Sequence, residues 1–177
     1  MRKGIIAAGV LATVLAVLGA WNYFGVYGPA TSAMAKDARN ETLSARVHRQ
    51  YGLSPSTIVF DLRDLKEEGA STDVMRALFQ SAEALKDSRF ERVVLAYEGT
   101  PKFYLQGEYF QTLGKEFGTN NPMYLVRTLP ENVYKLDGDK AFGTWTGGLL
   151  GVTMKQLEDL NELAKQWYLA DWVASKR

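Results

Sequence analysis

The sequence predicts an α+β protein: an N-terminal transmembrane helix, then one domain with a mixed β-sheet flanked by helices and a C-terminal amphipathic helix. Three observations carry this reading. A long apolar run opens the chain, two short β-branched runs bracket a stretch of helical period, and turn residues separate the runs that follow. At 177 residues, with 46% hydrophobic and 23% charged side chains, the chain can bury one core and still carry an appendage.

Met1, Arg2 and Lys3 precede residues 4–20, whose only polar side chain is Thr13, and Trp21, Tyr23, Phe24 and Tyr27 follow. Roughly 20 helical residues cross a hydrocarbon core of about 30 Å, so this run is long enough to span. A cleavable signal has an apolar core of only about 7–15 residues and small residues at the cut. Leu18-Gly19-Ala20 places a bulky leucine where a small residue is needed, and Ala33-Met34-Ala35 lies well beyond the run. Residues 1–28 are therefore expected to be an uncleaved signal anchor that meets the lipid bilayer through residues 5–27. Positive charge beside a span stays in the cytoplasm. Arg2 and Lys3 lie before the run and the next charges, Lys36 and Asp37, well after it, which predicts a cytoplasmic N-terminus and an extracytoplasmic (periplasmic) C-terminal domain.

Residues 33–51 are polar, with Leu43, Val47 and Tyr51 at four-residue steps and Gly52 after them. This spacing predicts a juxtamembrane helix or stalk over residues 29–53, with the domain proper at 54–177. Thr57-Ile58-Val59-Phe60-Asp61-Leu62 and Arg92-Val93-Val94-Leu95-Ala96-Tyr97 read as strands covered on both faces. Between them Ser71 or Thr72 can cap a helix striped by Val74, Leu78, Ala82 and Leu85, completing a parallel crossover. After the Glu98-Gly99-Thr100-Pro101 turn, residues 102–105 can pair back antiparallel. Tyr109, Phe110, Leu113 and Phe117 predict a further helix. Residues 123–128 read as a strand, and Asp137-Gly138 as the turn of a hairpin between residues 133–136 and 139–145. Thr153 and Gln156 match a capping box for the last helix, whose stripe is Leu157, Leu160, Ala164, Trp167, Tyr168 and Trp172.

Composition narrows the chemistry. A net charge of +1 leaves no basic footprint for nucleic acid. With no cysteine there is no disulfide, thiol nucleophile or thiolate metal site, and the single His48 sits away from any acid partner. Two places remain for a ligand. The carboxyl ends of the parallel strands carry Asp61, Arg63 and Asp64 on one strand and Glu98 on the next, and such ends are where loops converge on ligands. Close carboxylates could split their pKa values or hold a hard cation, whereas rim ion pairs are the plainer reading. The second place is Trp145, Gly147, Gly148 and Gly151, glycines ahead of a helix whose amides could face an anion. A tight turn into that helix is the plainer reading of them. The aromatics between residues 97 and 124 have core spacing, and Trp172 stands out as a ring free to meet a partner or the membrane interface.

The function expected from these residues is that of a membrane-anchored envelope accessory or interaction domain that binds a protein partner. The alternative is a small-ligand or divalent-metal site with hydrolase-type chemistry at the strand ends. No catalytic residue, metal ligand or cofactor is assigned.

Overall fold

The structure, a computed structural model, describes the backbone of residues 2–176 and the side chains of residues 9–176. The expected cytoplasmic charges at Met1, Arg2 and Lys3 and the terminal Arg177 lie outside the described side chains. The protein is α+β, built on a five-stranded mixed sheet. Its strands β1 (Leu43–Arg49), β2 (Thr57–Leu65), β3 (Arg92–Tyr97), β4 (Thr100–Gln106) and β5 (Val133–Lys135) lie side by side in that order. Only β2 and β3 run parallel, joined by a crossover helix at Ser71–Ala84; the other neighbours are antiparallel.

Helix α1 (Arg2–Asn22) continues through one wide turn at Tyr23–Tyr27 into α2 (Gly28–Ala35), so that residues 2–35 form one uninterrupted rod. The remaining helices are α3 (Ser71–Ala84), α4 (Gly107–Glu116), α5 (Pro122–Thr128) and α6 (Leu149–Ala164). The last runs through a second wide turn at Lys165–Leu169 into α7 (Ala170–Ser175).

Alternation along the strands sends Ile58, Phe60, Leu62, Val93, Leu95 and Tyr97 to one face, where they share the main core with α2, α3, α4 and the C-terminal helix. The other face carries a small cluster of Val59, Val94, Ala96, Tyr104 and Tyr134 to which, among the described residues, no helix contributes. Trp167 is fully buried; its ring meets Phe60 edge-on at 5.9 Å and its indole N–H donates to the Ala96 carbonyl at 3.0 Å. Helices α3 and α4 touch so closely that a Cβ on Gly114 would lie 2.2 Å from the Ala82 carbonyl oxygen.

Several sequence expectations are corrected. The helix expected over residues 33–51 ends at Ala35; an Asp37-capped 3-10 turn follows, and Leu43–Arg49 is an edge strand paired with β2. Tyr51 (φ 55°) and Gly52 (φ 71°) are left-handed, but they turn β1 into β2 instead of capping a helix. Residues 123–128 are helical, because the Asn121 side chain accepts from the Met123 N–H and Pro122 occupies the first turn. The Asp137-Gly138 turn forms, yet the returning arm pairs only near Lys140 and Ala141, and residues 142–148 leave the sheet. Thr153 is no cap, since α6 begins at Leu149, and its hydroxyl accepts from Arg127 Nη1 at 3.0 Å. Ser71 and Thr72 do not cap α3 either; the Asp73 carboxylate accepts from the Ala70 N–H instead. Trp172 is not free, for its indole N–H donates to the Leu65 carbonyl at 2.6 Å.

Candidate functional site

The rod of residues 2–35 has two different halves. Along its outer part Val10, Leu11, Val14, Leu15 and Val17 are exposed, Val17 at 62%. Along its inner part Val26, Ala30 and Met34, four residues apart, are buried in the main core against β1 and α3. The wide turn lies where one half gives way to the other. An extra residue in a helical turn rotates everything beyond it, so the turn re-aims the inner side chains toward the sheet. By length and composition, 27 residues from Gly9 to Ala35 could cross a membrane.

Two polar devices fix the rod to the domain. Asn22 Oδ1 accepts the Arg49 backbone N–H at 2.7 Å, and the Arg49 guanidinium lies 3.6 Å from the centre of the Trp21 ring while its Nη1 donates to the Ser54 and Pro55 carbonyls. Burial pulls the pKa of Arg49 down, and the contact with an aromatic face suits a cation stripped of water. At the other end Asp37 accepts from Arg39 and Gln80, Asn40 donates to the Met34 carbonyl and to Gln80, and Arg76 joins Asn40 to Asp73. The Arg39 hydrogen bonds hold the Asp37 carboxyl well below the usual carboxylate range. Arg39 is a local partner of Asp37, but Arg49 lies 27 residues from Asn22, Gln80 and Arg76 lie 36 or more residues from Asn40, and no local pattern announced them.

At the strand ends Asp61 and Arg63 meet the turn that carries Glu98. Asp61 is buried; Oδ1 accepts the Gly99 N–H at 2.9 Å and Oδ2 accepts Arg63 Nη1 at 3.0 Å. Glu98 (φ 48°) and Gly99 (φ 80°) are the two central residues of a β3–β4 hairpin, both left-handed as a type I′ turn requires. Both Asp61 oxygens are thereby occupied in holding this turn and Arg63. Asp64 is exposed and accepts from the Leu65 N–H, and Glu98 is exposed. Among the described residues no three His, Asp or Glu side chains gather as a metal centre.

The glycine string lies on a different element. Gly148 precedes α6, Gly147 (φ 135°) has open space around it, and Gly151 is in the first turn of the helix. Trp145 donates its indole N–H to Asp159 at 2.7 Å, which ties the string back onto α6. Beside it α5 and α6 form a groove of about 580 Å³ lined by Asn121, Met123, Tyr124, Arg127, Thr153 and Leu157. Met123, Tyr124 and Leu157 of that lining are exposed, and so are Leu149, Leu150 and Met154 on α6, Leu150 at 83%. Sequence patterning missed this surface because α5 reads as a strand.

The fold and these features define an α+β domain whose sheet and core are built onto the inner half of a long apolar helix. No family model, curated protein or solved structure matches the chain.

Proposed function

We propose that this protein is a single-pass, bilayer-anchored interaction domain, with its N-terminus cytoplasmic and residues beyond the anchor held outside the cytoplasm to bind an envelope protein. The observation that carries the reading is the division of one helix: an outer half that is apolar on all sides and unpacked, and an inner half built into the core. A soluble protein would leave that outer half in water, where each exposed Leu or Val side chain forgoes about 1.5–3 kcal/mol of burial. The charge pattern around the run supports the orientation. Exposed Met123, Tyr124 and Leu157 in the α5–α6 groove support binding, since exposed apolar surface gathered in one groove marks interaction sites. The amphipathic C-terminal helix supplies that surface on one flank and buries Leu163, Trp167 and Tyr168 on the other.

Because the chain contains no cysteine, single cysteines report its placement cleanly. Membranes extracted at alkaline pH should retain the protein, and a cysteine at Glu68 in intact cells should react with a membrane-impermeant maleimide. Release into the alkaline supernatant, or reaction only after lysis, would overturn the placement. A photo-crosslinking side chain at Leu150 should give a discrete adduct with one envelope protein, and one at Glu68 none. Equal patterns at both positions would refute a binding role for the α5–α6 surface.

A further inference from the structure

We propose that the turn between β1 and β2 is a second membrane contact, so that the domain rests on the bilayer with Tyr51 and Leu53 in the headgroup layer beside the anchor. The inference deepens the anchored reading and rests on it.

Register along the rod sets the depth. The 18 residues from 4 to 21 rise about 27 Å at 1.5 Å each, close to the hydrocarbon thickness of about 30 Å, so Trp21 falls at one interface. Asn22 is hydrogen-bonded to Arg49, which puts the end of β1 at the same level. The chain then continues toward the bilayer: the 3-10 turn Gln50–Gly52 lies against α1.

Chemistry points the same way. Tyr51 is 86% exposed and Leu53 56%, the side chains a soluble turn has least reason to display. Tyr51 sits in the left-handed region, followed by left-handed Gly52, a conformation costly for a non-glycine residue. The turn cannot fold back to hide these groups. Its backbone is held by Arg49 through the Ser54 and Pro55 carbonyls and by the Arg49 contact with Trp21. On the rod at the same level Tyr23 and Phe24 are also exposed. Aromatic rings with a wet edge and an apolar body favour the membrane interface, and at this level of the molecule the four side chains make up a collar, two on the rod and two on the turn.

Nitroxide labels on single cysteines at Val14, Tyr51, Leu53 and Glu68, in full-length protein reconstituted into phosphatidylcholine vesicles, test this. Each variant keeps the other collar residues. Glu68 follows β2 at the end of the sheet remote from Asn22 and is exposed. The labels at positions 51 and 53 should lose most of the collision rate with a water-soluble nickel chelate that position 68 shows, and gain collisions with oxygen; position 14 should read as lipid. Labels at 51 and 53 as open to nickel as the one at 68, with 14 in lipid, overturn the second contact and leave the anchor standing. Water access at position 14 overturns both.

Discussion

At the scale of single residues, the rod and the domain are joined by a few buried polar contacts whose loss is costly because water cannot replace them. Asn22→Ala removes the acceptor for the partly buried Arg49 N–H, so about 1–2 kcal/mol of stability should be lost. Denaturant titration of the full chain in detergent measures it, and an unchanged midpoint would mean that the helix docks through Val26, Ala30 and Met34 alone. Asp61 makes a sharper case. Asp61→Asn keeps an acceptor for the Gly99 N–H and should cost less than about 1 kcal/mol, since its Arg63 partner is 40% exposed. Asp61→Ala leaves that N–H without a partner and should cost about 1–3 kcal/mol. Equal losses from the two substitutions would show that the charge of Asp61, and not its acceptor, holds the turn.

Among elements, α3 and α4 meet closely at Gly114. Alanine normally stabilises an exposed helix position by about 1 kcal/mol relative to glycine. At Gly114 the sign should reverse, because the added methyl meets the Ala82 carbonyl, and Gly114→Ala should destabilise by about 1–3 kcal/mol in a thermal or denaturant melt. A gain in stability would mean that the two helices separate freely. How far the elements can be read from sequence follows from their environment. Strands β2 and β3 and helix α3 are legible because Ile58 to Leu62, Val93 to Tyr97 and the Val74–Leu78–Ala82 stripe are set by burial on the element itself. Strand β1 is not. Leu43 and Val47 satisfy both i,i+4 and every-second-residue spacing, and its other positions, Ser44, Arg46 and His48, are polar because they lie on the sheet face that no described helix covers. For α5, β-prone Tyr124 and Val126 point to a strand, and the Asn121 cap and packing against α6 override them.

On the scale of the whole molecule, stability should form a plateau bounded by carboxylates below and phenols above. Asp37 is held low by its Arg39 hydrogen bonds; burial pushes Asp73 up, but the Ala70 N–H and Arg76 outweigh it and leave it lowered. A depressed folded pKa contributes stability fully present above the unfolded value of about 3.9 and lost as pH falls through the folded one. Burial raises the Tyr168 phenol to about 12, so its contribution is complete below the unfolded value of about 10 and disappears as pH rises toward 12. The melting temperature should therefore fall below about pH 4 and above about pH 10. Tyr168→Phe should make the alkaline fall shallower, and an unchanged alkaline limb would place the titrating group elsewhere, with partly buried Tyr109, also raised by burial, next in line.

The candidate site was legible only as residue types. Asp61, Arg63 and Glu98 do share a strand end, as the parallel pairing of β2 with β3 requires, but whether a carboxylate is open or occupied depends on a turn folding over it, and Asp61 is occupied. By itself the sequence determined the apolar run, its length and the strands and helices whose burial is written in their own periodicity, because those properties are local sums over neighbouring side chains. Only the tertiary structure decided where the rod stops being free and becomes core, that β1 is a strand, and that α5 and α6 leave a groove between them. Each of those outcomes turns on partners tens of residues away, such as Asn22 with Arg49, Asn40 with Gln80 and Arg127 with Thr153. No local pattern can encode a contact whose other half lies in another element.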